Sequence, residues 1–164
     1  MMLASGAMVD PKSSAESRVV LHQLMMPEHA NALGNVHGGV IMRMVDEAGA
    51  ICAMRHARMP CVTISIDSMT FRQPVHLGEL LICNANVSWV GRSAIEVRVH
   101  VQSEHPISGV TSHTNSAFVV YVALGSDGRP AQVPGLALAN DQEQREFADG
   151  AARQARRVAN RHPA

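Results

Sequence analysis

"ALGNVHGGVIMRMVDEAG", residues 32–49, passes from a glycine-punctuated loop into an apolar stretch that still carries two adjacent carboxylates, Asp46 and Glu47. From Gly39 to about Met54 the residues Val40, Ile41, Met44, Val45, Ala48, Ile51 and Cys52 recur at helical spacing, which predicts one long core helix. With Val40 at zero and about 100° per residue, Gly39, Arg43, Asp46 and Glu47 fall between about 240° and 340°. The polar positions share one strip, so the pattern predicts a helix wrapped by other structure with a single seam left uncovered.

Gly39 and Asp46 both point into that seam, about 10.5 Å apart along the axis at about 1.5 Å per residue. The amides of Gly38 and Gly39 lie where a helix N-terminus polarises an acceptor oxygen, and the missing side chains let a ligand approach the backbone. One small reacting group cannot easily touch both the amides and the carboxylate of the same helix. If both serve one reaction, the site is composite and the carboxylate comes from a second chain. Plainer readings stand beside this one: an interchain hydrogen bond or an Arg43 ion pair for Asp46, and turn-forming roles for Asn31 and His37, although His37 could also be a base.

On either side of the helix the period changes. "SRVVLHQLMM" (17–26) reads as a first strand closed by Pro27. After Pro60, "CVTISIDSMTF" alternates Val62, Ile64 and Ile66 with Thr63, Ser65 and Asp67, a strand with two different faces. "ELLICNANVSWV" (79–90), "SAIEVRVHVQS" (93–103) and "TSHTNSAFVVYVAL" (111–124) are further strand runs, the first two joined only through Val90-Gly91-Arg92 and hence a hairpin. Strand, helix and four strands predict an α+β fold: a five-stranded antiparallel sheet wrapped around one long central helix. Residues 1–17 read as a flexible N-terminal tail, 18–135 as the domain, and 136–164 as a C-terminal helix or tail. Asn140 with Glu143 makes a capping box there, and the five arginines between 140 and 161 suggest a solvated face.

Composition narrows the function. Lys+Arg and Asp+Glu number 14 each, so no overall field draws nucleic acid or an anionic membrane, and five aromatic residues offer little to stack bases on. Ten methionines and the aliphatic residues must fill the core. Cys52, Cys61 and Cys83 sit in apolar runs without metal-ligand spacing and read as buried thiols. With no basic leader before an apolar run and no long apolar span, the expected setting is cytoplasmic.

Three blocks in order, "ANALGNVHGGVIMRMVDEAGAICAMRHA", "SIDSMTFRQPVHLGE" and "VSWVGRSAIEVRVHVQSE", resemble the hotdog-fold acyl-CoA thioesterases, above all the bacterial short-to-medium-chain and animal cytosolic enzymes. The resemblance spans residues from about 18 to 135 and stops short of the arginine-rich C-terminus. It implies hydrolysis of acyl-CoA to a free fatty acid and CoA at a dimer interface, in a homodimer-based hexamer or tetramer, with no cofactor or metal. On that pattern Asp46 is the general base or nucleophile, Asn31 holds the water or thioester from the other subunit, and the Gly38 and Gly39 amides polarise the thioester carbonyl beside His37. Gly91, Arg92 and Ser93 match a segment that touches the CoA pantetheine and phosphates, with Arg58 and Arg72 as further cations; Glu47 is a substitute base. Two other readings stay open: a hotdog hydratase or dehydratase using His37 with a carboxylate, and a non-catalytic acyl-CoA-binding module.

Overall fold

The structure, a computed structural model, describes residues 10–160. In chain order it contains β1 (Lys12–Ser13), a single-turn helix α1 (Ser14–Ser17), β2 (Val19–Leu24), a 3-10 turn at Pro27–His29 and the long helix α2 (Gly38–Ala57). These are followed by β3 (Cys61–Ile66), β4 (Leu80–Val90), β5 (Ala94–Glu104), β6 (Thr111–Ala123), β7 (Leu136–Ala137) and α3 (Asp141–Ala159). Helix α2 begins at an N-cap, His37, and stops at Arg58, whose left-handed backbone (φ 56°) turns its N–H back to the Met54 carbonyl at 2.7 Å.

Strands order as β2-β4-β5-β6-β3, antiparallel throughout, so the predicted central helix and five-stranded sheet are both present. The β4–β5 hairpin closes through a Gly91 N–H bond to the Ala94 carbonyl (2.8 Å), and a Cβ at Gly91 would lie 2.7 Å from the Trp89 ring. Alternation settles the two faces of β5. Ile95, Val97, Val99 and Val101 are fully buried and form one core with Ile41, Met44, Val45, Ala48 and Cys52 of α2. Each such aliphatic side chain contributes about 1.5–3 kcal/mol by leaving water. Cys52 and Cys83 belong to this core, and burial pushes both thiols up to about 12.

Three expectations need correcting. The uncovered side of α2 is not a narrow polar seam: besides Arg43 and Glu47 it exposes Met42, Ile51 and Met54 at 37–41%. Val62 and Ile64 of the edge strand β3 are exposed as well. A sheet curled against one side of a helix leaves the other side to be covered by something else.

Residues 12–17, expected within a loose tail, instead form β1 and α1; residues 1–9 lie outside the described residues. β1 pairs in parallel with β7, Lys12 Nζ donates to the His56 carbonyl (2.9 Å), and Arg55 Nη1 donates to the Arg18 carbonyl (2.6 Å). His56 is fully buried beneath them. Its Nε2–H donates to the Pro134 carbonyl (3.0 Å), which can only accept, so Nδ1 accepts from the Ser17 hydroxyl (3.2 Å).

Helix α3 is also no solvated appendage. The side of β5 opposite the core carries Glu96, fully buried, which accepts two bonds from Arg153 (3.1 and 2.8 Å), one from Arg157 (2.6 Å) and one from Ser88 (2.6 Å). Burial alone would raise the Glu96 carboxyl, yet the hydrogen bonds from Arg153, Ser88 and Arg157 hold it below the ordinary carboxylate range. Arg153 lies over the Phe118 ring, and Arg157 also grips Asp67, just past β3, through two bonds of 3.0 and 2.7 Å. At Gly150 a Cβ would fall 2.5 Å from Trp89 Cβ, so the helix approaches the sheet there because it has no side chain.

Replacing Glu96 by Ala leaves two guanidinium groups facing a buried gap, and is expected to cost about 3–5 kcal/mol in urea unfolding. His56 gives a pH signature. Burial, the largest influence, holds its imidazole below the ordinary value of 6.5, so on acidification the unfolded chain takes up the proton first. The stability contributed by the neutral ring is therefore complete above about pH 6.5 and is lost as pH falls toward the folded-state value. Urea midpoints measured at about pH 7.5 and about pH 5.5 should differ less in His56→Gln than in the wild type.

Candidate active site

The start of α2 is capped by a ring rather than a hydroxyl. His37 Nδ1 accepts from the Gly39 N–H at 2.9 Å, which fixes the neutral tautomer protonated at Nε2. The Gly39 amide, read from sequence as a free donor, is thus already engaged. Gly38 is the first helical residue, and its N–H donates to no other group among the described residues. A Cβ at Gly38 would sit 3.5 Å from the Phe71 ring, so the bare glycine leaves a narrow slot open.

That slot belongs to a pocket of about 320 Å³ whose wall includes Asn31, Gly38, Ile41, Phe71 and Arg72. Asn31 heads a tight turn. Its Oδ1 accepts from the amides of Leu33 (2.9 Å) and Asn35 (3.2 Å), leaving the Nδ2 donor uncommitted. The turn-forming and ligand-holding readings of Asn31 are therefore compatible, since they use different atoms of one amide.

Asp46 does not line this pocket. It stands on the open side of α2, about two turns further on, where its Oδ1 accepts from Thr63 Oγ1 (2.8 Å) and Tyr121 Oη (3.2 Å). The same Tyr121 hydroxyl lies 2.9 Å from the Asp46 carbonyl. Oδ2 has no partner among the described residues. Burial first, and the adjacent Asp46 carboxylate second, raise the Tyr121 phenol far above its usual range, so it stays a donor. Tyr121 reaches the helix because residue 49 is glycine, where a Cβ would collide with the Tyr121 hydroxyl. Arg43 pairs with Glu47 (3.4 Å) rather than with Asp46, which gives Glu47 a surface ion-pair partner.

The arrangement offers a carboxylate with one oxygen tethered and the other open, and, separately, a pocket with backbone and amide donors. Gly91, Arg92 and Ser93 do not join either part within the chain. The Arg92 carbonyl accepts from the Val133 amide (2.9 Å) and the Ser93 carbonyl from the Ala123 amide (3.0 Å), at the end of the sheet near Cys61. Thr63, Tyr121 and Phe71 are site residues that sequence reasoning missed. Thr63 is one polar position in an alternating strand, and nothing local signals its bond to a residue on the preceding helix.

The sequence profile of the thioesterase superfamily matches residues 33–122. The chain is 34% identical over 128 residues to the uncharacterized acyl-CoA thioester hydrolase YkhA of Bacillus subtilis, covering 78% of this chain and 74% of that one. It also matches the mouse cytosolic acyl coenzyme A thioester hydrolase, of which it spans 29%. Among solved structures, an apo-hexameric acyl-CoA thioesterase superposes with a TM-score of 0.87 at 30% identity, covering 94% of this chain and 100% of that one. An acyl-CoA hydrolase from Staphylococcus aureus, in complex with butyryl coenzyme A, coenzyme A and coenzyme A disulfide, gives 0.84 at 33% identity over 92% of both chains. Three variants of the latter hydrolase carry alanine for an asparagine, an aspartate or a threonine, and those three positions have the same spacing along that chain as Asn31, Asp46 and Thr63 here. A profile match across more than half of the length, joined to these full-length structural likenesses, means that the chain belongs to the thioesterase superfamily, among its hotdog-fold acyl-CoA thioester hydrolases.

Proposed function

We propose that the protein hydrolyses acyl-CoA thioesters at a site shared between two copies of the chain. The carrying observation is the Asp46 carboxylate, tethered at Oδ1 by Thr63 and Tyr121 and open at Oδ2, on a helix whose own N-terminus faces a different pocket. In this reading Asp46 Oδ2 takes a proton from a water whose oxygen attacks the thioester carbonyl. The carbonyl oxygen gains negative charge and accepts from the Gly38 amide at the positive end of α2. Collapse breaks the carbon–sulfur bond, and the departing thiolate receives the proton from Asp46, releasing a free acid and CoA. The Gly39 amide joins the donor set only if His37 turns away from it. Asn31, through Nδ2, orients the water or thioester, and Asp46 acts on a ligand held in the neighbouring copy's pocket.

The apolar surface supports that division. Met42, Ile51 and Met54 on α2, with Val62 and Ile64 beside the unpaired edge of β3, form the surface a second copy would cover. The relatives that share this fold include hexamers, which supports further association of such dimers. Residues 18–135 carry the chemistry, and the C-terminal segment braces the far side of the sheet. No described helix is long and apolar enough to cross a membrane, and three free thiols fit a reducing, cytoplasmic setting.

Asp46→Asn is expected to slow thiol release from acyl-CoA by about 10²–10⁴-fold, and Thr63→Val by about tenfold with little change in KM, read with a thiol-reactive dye. Equal rates for the Asn variant and the wild type across a panel of chain lengths would defeat the assignment. Mixing Asn31→Ala chains with Asp46→Asn chains should restore up to about a quarter of the wild-type rate, because half of the sites in a mixed dimer hold both native residues and mixed dimers are about half of the population. No recovery in stably mixed dimers would place both residues in one chain's site.

A further inference from the structure

We propose that Arg157 of α3 is a positioning residue for substrate binding: through Asp67 it holds the chain segment that forms one wall of the Asn31 pocket, without touching the ligand. That role rests on the thioesterase reading and gives the arginine-rich C-terminal helix a part in it. Phe71, Gln73 and Pro74 of this segment line the pocket together with Gly38 and Asn31. The Phe71 ring borders the slot that the bare Gly38 leaves open.

The segment is secured at its two ends. Residues 68–74 make no hydrogen bond among the described residues, and between the ends only apolar contacts such as that of Met69 with the core hold it. At the far end Val75 is buried, its carbonyl accepts from the Val36 N–H (2.9 Å), and His76 bridges to Asn35. The near end has less. β3 stops at Ile66, and the Asp67 backbone adds one bond, from its N–H to the Phe118 carbonyl at 3.0 Å. The Asp67 side chain is held by Arg157, Nε to Oδ1 at 3.0 Å and Nη2 to Oδ2 at 2.7 Å.

This is not an ordinary surface pair. Exposed pairs contribute little, but these side chains are only 14% and 32% exposed, and two parallel bonds fix the direction of the carboxylate. Arg157 is itself pinned, since Nη2 also donates to the buried Glu96 (2.6 Å) and Nη1 to Gln154 (3.3 Å). A guanidinium fastened to an acid inside the fold acts as a fixed post for Asp67. Asp46 does not share that post, because Thr63 and Tyr121 hold it. Releasing Asp67 lowers the fraction of molecules whose wall is formed, and apparent affinity falls in proportion while the chemistry on bound substrate is unchanged.

Asp67→Ala and Arg157→Gln are each expected to raise KM for butanoyl-CoA about fivefold, with kcat within about twofold of the wild type. The double variant should match the single ones, because all break the same contact. Arg153→Gln is the control: it also takes a guanidinium from Glu96 but has no bond to Asp67, so its KM should stay at the wild-type value. An unchanged KM in Asp67→Ala, or an equal rise in Arg153→Gln, overturns the proposal. Asp67→Ala leaves both arginines on Glu96 and carries the test alone if Arg157→Gln does not fold. Trypsin cleavage after Arg72 reads the same anchor without catalysis, and should be about fivefold faster in Asp67→Ala than in the wild type. If the wild type hydrolyses no acyl-CoA, the thioesterase reading falls, whereas equal cleavage rates remove the anchor itself.

Discussion

A helix of twenty residues laid in the hollow of a five-stranded sheet has two long sides, and the sheet can cover only one of them. Nearly everything else follows from that constraint. The covered side must be packed without gaps, which Ile41, Met44, Val45, Ala48 and Cys52 do against the valines of β5. The open side cannot be purely polar, because its middle carries Met42, Ile51 and Met54. A surface of that composition, next to a strand edge with unpaired backbone groups, is unfinished as a monomer surface. Asp46 lies along this boundary, tied to Thr63 on one flank and to Tyr121 below.

The opposite face of the sheet solves a different problem. β5 directs Glu96 and Arg98 away from the core, and a strand read by alternation alone would give both to water. Helix α3 closes over them, and the buried Glu96 then requires the two arginines that the helix brings. Arg157 joins that network to Asp67, at the root of the segment that carries Phe71 and Arg72 into the Asn31 pocket. The C-terminal helix therefore shares a fixed point with the segment that shapes the ligand side of the molecule. Its removal would disturb both at once.

Legibility of the site varied with the range of the interactions. Gly38, Asn31 and Asp46 could be singled out as candidates because they lie in or close before one helix, and because paired glycines and a carboxylate on an apolar helix are conspicuous. His37 was readable as a turn-orienting residue, and its ring does hold the first turn through the Gly39 amide. That contact also changed the expected donor set, since an amide can give its single proton to one acceptor at a time. Thr63 and Tyr121 left no comparable trace, being distant in sequence from the carboxylate they hold. The hairpin at Gly91, Arg92 and Ser93 stayed apart from both halves of the site within one chain.

The sequence by itself determined the elements and their facing: periods of about 3.6 and of two residues separate helix from strands, and they assign core sides that burial then follows. It also set the Gly39 amide and the Asp46 carboxylate of α2 about 10.5 Å apart along one axis, the spacing from which a site shared between chains is proposed. Only the tertiary structure decided which donors hold Asp46, that Arg43 goes to Glu47, that the arginines of α3 face a buried acid, and that one of them, Arg157, also grips Asp67. The physical reason is common to all four. Periodicity is a local property of the chain, whereas a hydrogen bond or ion pair depends on which strand edge, helix face or loop is brought alongside, and that is settled by the packing of the whole.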